Sequence, residues 1–269
     1  MDDGQIGGSK FVVPHGSIPL IQGNTSNHRA TIPPLVAATG EPVVCAVIFA
    51  SDRPQIDASW HSGISITVDP IVNSNNSVDA YNRNNFGPGK YFPMGPVCTF
   101  RGKKIQTLTF TSPSGTISAQ ILVRIFSVLD ELQVYPRRDT CDENTSPPPE
   151  PCVVVDDHQS RLDTSLLLYI NDEGHKWNFA LGVPYLTDVW QVGDSPEMNG
   201  SFKTEFYRAK EDLMSFKIRR GMPAKLNATD IMPLVNIAWN RSFAKIESNR
   251  KAISTRGWYP PTRKVLQDP

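Results

Sequence analysis

The spacing of hydrophobic positions changes along the chain. In the first half, apolar residues come in short runs separated by turn-forming residues. Lys10 to Val13 and Thr31 to Ala38 are two such runs. Gly40-Glu41-Pro42 then supplies turn chemistry before Val43-Val44-Cys45-Ala46-Val47-Ile48-Phe49, whose length and β-branched content predict a buried central strand. Run, turn and run again predict an antiparallel meander. Asn73 to Asn85 is rich in Asn and Ser, and Gly87-Pro88-Gly89-Lys90 follows it, which predicts an exposed insertion.

Helical periodicity then takes over. Ile117, Ile121, Leu122, Ile125, Val128, Leu129 and Leu132 recur at intervals of three and four, and Thr116 or Ser118 is available as N-cap. Asp139 to Pro151 carries three successive prolines, Pro147 to Pro149, and is a linker or surface loop. Cys152 to Asp156 predicts a strand, Leu162 to Ile170 a short helix ending near Gly174, and Trp177 to Pro184 another strand. Asp194 with Glu197 has the form of a capping box with Pro196 in the first turn, and Phe202, Phe206, Ala209, Leu213 and Phe216 continue an apolar stripe. A further helix follows Thr229 or Asp230, and Gly257 stops the last one. Strands followed by alternating strands and helices predict an α/β protein with a mixed sheet flanked by helices.

Length and charge add bounds. A chain of 269 residues buries a real core as one large domain or two small ones. With 27 basic and 27 acidic side chains, net charge favours neither nucleic acid nor membrane. The distribution is uneven: Lys217 to Lys264 holds 11 basic residues against two acids, Asp230 and Glu247. Such a segment is either a solvated helical face or a surface for backbone phosphate. Cys45, Cys98, Cys141 and Cys152 show no C-x-x-C spacing, which argues against a zinc ribbon or redox pair and for buried thiols at Cys45 and Cys152. No run of about 18 apolar residues occurs, so no membrane span is expected.

The candidate chemistry is acidic. Val153-Val154-Val155 leads into Asp156-Asp157-His158, and Asp194 follows Asp156 by about 38 positions, room for one helix and one strand. Asp2 or Asp3 stands at the start, before Gly7-Gly8. Carboxylates at strand ends suit hard divalent cations, and two such ions support in-line phosphodiester displacement. Spacing alone leaves Asp156, Asp157 and Asp194 equally readable as turn-formers and helix caps. His158 is a metal ligand or a hydrogen-bonded turn residue, and Trp190 and Trp239 are base-stacking platforms or core. Gly-Pro-Gly-Lys lacks the spacing and following hydroxyl of a phosphate-cradling loop, and no G-x-S-x-G, H-E-x-x-H or G-x-G-x-x-G motif is present.

Val153 to Arg161 (VVVDDHQSR) resembles the D-x-H-x-S-[RH] block of the DDE superfamily endonucleases, the transposase-derived group related to mariner and pogo elements. Trp190 to Lys203 (WQVGDSPEMNGSFK) resembles their second acidic block, and Gly40–Ser51, Gly87–Gly102 and Asn236–Tyr259 extend the similarity over nearly the whole chain. The resemblance implies a ribonuclease-H-like mixed sheet flanked by helices over residues 1–216, with a basic helical C-terminal extension over 217–269. It implies two Mg²⁺ or Mn²⁺ ions, DNA as partner and a nuclear location, and it leaves homo-oligomerisation open. Asp156 matches the second acid of the triad and Asp194 the third. Asp2, with Asp3 as alternative, takes the place of the first.

With Met1 alone ahead of Asp2, most of the family's first strand and its N-terminal DNA-gripping region are expected to be missing, as in a truncated or degenerate product. The alternative is a non-catalytic nucleic-acid-binding protein that keeps the fold and uses Arg219, Arg220, Arg241, Lys245, Arg250, Lys251, Arg256, Arg263 and Lys264 on phosphate.

Overall fold

A computed structural model describes residues 30–52, 95–135, 151–155, 163–172, 177–181 and 191–261. These form a mixed α/β structure of several helices and small sheets. At its centre is β3 (Pro42–Ala50), whose seven inner residues are all buried. A strand buried on both faces needs cover on both, and its side chains alternate accordingly. Val44, Ala46 and Ile48 enter one apolar cluster, while Cys45, Val47 and Phe49 enter another.

β1 (Ala30–Thr31) and β2 (Pro34–Val36) run antiparallel along β3. The pairs Ala30 with Phe49 and Leu35 with Val44 lie in one continuous register, which shifts at Val36. The two pieces are one strand broken at Pro33-Pro34, since proline has no N–H for the ladder. β3 also pairs in parallel with β6 (Leu108–Ser112), Ala46 opposite Leu108 through Ala50 opposite Ser112. The expected antiparallel meander is therefore corrected. Parallel pairing requires a long crossover, and the chain between β3 and β6 contains the antiparallel hairpin of β4 (Val97–Phe100) and β5 (Lys103–Gln106).

The first cluster is closed by α1 (Ala119–Glu131), which buries Ala119, Ile121, Leu122, Ile125, Phe126 and Leu129. Ser118 is its N-cap, accepting from the Ile121 N–H at 3.3 Å. β7 (Cys152–Val155) and β8 (Asn178–Leu181) form a separate parallel pair. α2 (Thr164–Asn171) lies between them in sequence and is capped by Asp163. Trp177, next to β8, donates its indole N–H to Asp130 at 3.1 Å and packs on Phe126 at 4.8 Å between ring centroids.

Cys152, expected to be buried, is exposed. β7 turns Val153 into the core and leaves Cys152 and Val154 outside, with Val154 46 % exposed. The all-apolar run therefore does not mark a strand covered on both faces.

The second cluster is closed by α3 (Ser201–Arg219), α4 (Ala228–Arg241) and α5 (Ile246–Thr255). α3 buries Phe202, Ala209 and Leu213 as its stripe predicts, with Lys217 buried beyond them. Gly257, at φ +69°, follows the C-cap Arg256 and ends α5 in the left-handed conformation that glycine adopts without strain. No helix among the described residues is long and apolar enough to cross a membrane.

Candidate functional site

Of the three acids expected to form the site, Asp194 lies in the described structure; Asp2 (with Asp3) and Asp156 fall outside the described residues, as do Asp157, His158 and Trp190. Asp156 follows Val155, the last residue of β7, directly in sequence.

Asp194 sits at the end of a short 3₁₀ turn, Val192–Asp194, which leads through Ser195 into a π turn, Pro196–Gly200, and then into α3. The turn is built from the inside outward. Met198 and Phe202 are buried in the second cluster and anchor it. Ser195, 1 % exposed, accepts from the Met198 N–H at 3.2 Å, and its carbonyl accepts from Gly200 N at 3.0 Å, the wide bond of a π turn. Asp194, adjacent to this anchored Ser195, is exposed. Single π turns recur at functional sites because they displace a side chain from the regular helical path.

The capping box expected from Asp194 and Glu197 is not formed. Ser195 is the N-cap, and Pro196 occupies the first helical position, where its missing N–H costs nothing. The Asp194 N–H goes to the Gln191 carbonyl at 3.3 Å. Proline's preference for that first position was the signal pointing to Ser195.

Asn199 Nδ2 donates to Asp194 Oδ1 at 3.0 Å. Such a bond orients the group, as outer partners do for carboxylates that ligate metals. One exposed, oriented carboxylate fits the donor chemistry of Mg²⁺ or Mn²⁺, and Asp194 with its Asn199 partner would supply one oxygen ligand. Among the described residues no group of three His, Cys, Asp or Glu side chains converges as a metal-binding set. Asn199 was not singled out from the sequence, since a lone Asn in a helix start carries no spacing signal.

Glu197 points away from the Asp194 backbone. Its Oε2 lies 3.7 Å from Arg256 Nη1, and its carbonyl accepts from Ser248 Oγ at 3.3 Å, both from the α5 segment. The basic residues of the C-terminal segment divide in the same way. Lys217 is buried against Asp230, Arg241 lies 3.5 Å from Glu205, and Arg250 pairs with Glu247 at 2.7 Å. Arg220 lies over the Phe216 ring, 5.3 Å to its centroid. Lys245 and Lys251 are exposed and form no ion pair among the described residues. Arg263 and Lys264 lie outside the described residues. Trp239 is 1 % exposed against Phe243, 4.9 Å between centroids, and belongs to the core rather than to a base-stacking surface.

Comparison of the chain with protein-family models, with curated proteins and with solved structures found no match.

Proposed function

We propose that this chain carries a transposase-derived DDE endonuclease domain of ribonuclease-H-like fold, acting on DNA in the nucleus with Mg²⁺ or Mn²⁺. The observation that carries the reading is Asp194: an exposed carboxylate, oriented by Asn199, on a π turn at the entrance of a long helix. It stands where the resemblance to the second acidic block puts the third acid. A parallel strand pair earlier in the chain supports the same reading, because β7 ends at Val155, next in sequence to Asp156. A central strand with helical layers on both faces also suits such a fold.

Asp194, with Asp156 and Asp2, would hold two such ions, which when bound would supply activation of a water or hydroxyl and stabilisation of the leaving oxygen in an in-line phosphodiester displacement. The part of this chain's own residues is to hold carboxylate oxygens in place. Asp194 does so from the π turn, and Asp156 and Asp2 are the proposed second and first acids.

A second reading, a nucleic-acid-binding protein without catalysis, is favoured by Lys245 and Lys251, which are exposed and form no ion pair among the described residues. One experiment separates the two. Nicking of supercoiled DNA in Mg²⁺ or Mn²⁺ is measured for the parent, Asp156→Asn and Asp194→Asn. The endonuclease reading expects parental nicking that drops by at least about 100-fold in each variant. Equal inactivity of all three, with salt-sensitive DNA binding retained, leaves the binder.

A further inference from the structure

Two charged side chains behind the Asp194 turn are committed to each other. Glu197 Oε2 and Arg256 Nε are both buried atoms without a hydrogen bond, and the two side chains meet through Arg256 Nη1 at 3.7 Å from Glu197 Oε2. They are 29 % and 15 % exposed, so water screens the pair less than an open surface pair. Arg256 is itself fixed: it is the C-cap of α5, and its Nη1 reaches the Ala252 carbonyl at 3.5 Å. From the same helix, Ser248 Oγ donates to the Glu197 carbonyl at 3.3 Å. α5 thus holds Glu197 by both backbone and side chain, within the five-residue turn that Asp194 precedes.

We infer that Arg256 is a positioning residue for Asp194, clamping the π turn through Glu197 with the help of Ser248. The inference rests on the proposed reading of Asp194 as a metal-binding carboxylate. Removing a partner from a part-buried pair leaves a charge that must find water or another partner. Without Arg256, the Glu197 carboxylate is released toward solvent and the turn loses its tie to α5. Asn199 lies in that turn, so its hydrogen bond to Asp194 is disturbed with it. Metal sites respond steeply to such changes because ligand oxygens must be held to within about 0.5 Å.

Mn²⁺ affinity, measured calorimetrically on the full chain without DNA, tests this apart from catalysis. The variants are Asp194→Asn, Arg256→Ala, Arg256→Lys, Glu197→Gln and Ser248→Ala, each with its thermal midpoint. The expected result is that Asp194→Asn removes the binding isotherm. Arg256→Ala weakens Mn²⁺ about 10-fold, Arg256→Lys recovers part of the loss, and Glu197→Gln, which keeps shape but not charge, weakens it similarly. Parental affinity in Glu197→Gln and Arg256→Ala beside a loss in Asp194→Asn overturns the positioning role and leaves the metal-site reading standing. Parental affinity in Asp194→Asn overturns the metal-site reading and this inference with it. Should Arg256→Ala fail to fold, the comparison of Glu197→Gln and Arg256→Lys with the parent decides.

Discussion

Lys217 Nζ and Asp230 Oδ2 form a buried ion pair at 2.5 Å, with both side chains 3 % exposed, that ties the last turn of α3 to the first turn of α4. Each charge is further satisfied: Lys217 donates to the Lys225 carbonyl at 2.8 Å, and Asp230 accepts from the Asn227 N–H at 2.7 Å. Lys217→Met leaves the carboxylate buried without its counter-ion and is expected to destabilise the fold by about 3 kcal/mol. Urea denaturation checks this; a midpoint unchanged from the parent refutes it.

Gly40 is the second sensitive point. Its φ is +89°, and a Cβ there would lie 2.5 Å from the Ile246 carbonyl oxygen and 2.9 Å from Arg250 N, both backbone atoms of α5. Asn249 Nδ2 completes the contact by donating to the Gly40 carbonyl at 2.8 Å. Gly40→Ala combines backbone strain with a clash and is expected to destabilise by more than about 1 kcal/mol. A rise or no change in the thermal midpoint would contradict this packing of α5 on the turn before β3.

The thiols differ in reactivity. Burial pushes the Cys45 thiol well up from its ordinary value, with Cys98 adding to the shift, and burial pushes Cys98 up to about 12. Neither forms thiolate at neutral pH, whereas Cys152 is exposed. In the native protein, Cys152→Ser is expected to remove one equivalent of fast reaction with a disulfide reagent. Cys98→Ala is expected to leave the fast phase unchanged, and a lost equivalent in Cys98→Ala would contradict its burial.

Acid sensitivity follows from two exposed carboxylates. Hydrogen bonds from the Ser165 hydroxyl and backbone N–H hold Asp163 below its ordinary value, and hydrogen bonds from Arg124 and Ser127 do the same for Glu131. A carboxyl whose folded value is depressed contributes stability that is complete above the unfolded value and is lost as pH falls through the folded one. The thermal midpoint is therefore expected to fall between about pH 5 and about pH 3, and to fall less in Asp163→Asn. Identical acid limbs for parent and variant would remove Asp163 from this account.

Much of the fold is legible from local pattern. Val43 to Phe49 reads as a buried strand and is one, its two faces covered by the two apolar clusters. Ile117 to Leu132 reads as a helix capped at Ser118 or Thr116, and Ser118 takes the role. Parallel pairing of β3 with β6 was not legible, since a partner 62 positions away leaves no local trace, Ala50 pairing with Ser112 and Ala46 with Leu108. Nor was the exposure of Cys152: apolar identity predicts burial, while the cover available to each face of β7 depends on elements distant in sequence.

The candidate site divides along the same line. The amino-acid order alone determines that Asp194 precedes a proline-started helix with an apolar stripe, because proline placement and hydrophobic period act within a few residues. Proline at the first helical position already points to Ser195 as the cap, and tertiary structure fixes it there, with Met198 and Phe202 buried in a core shared with β3. Only tertiary structure decided the course of Glu197, which turns to Arg256 on α5 instead of closing the capping box. Local sequence specifies which bonds a turn is able to make; packing against residues far along the chain selects among them.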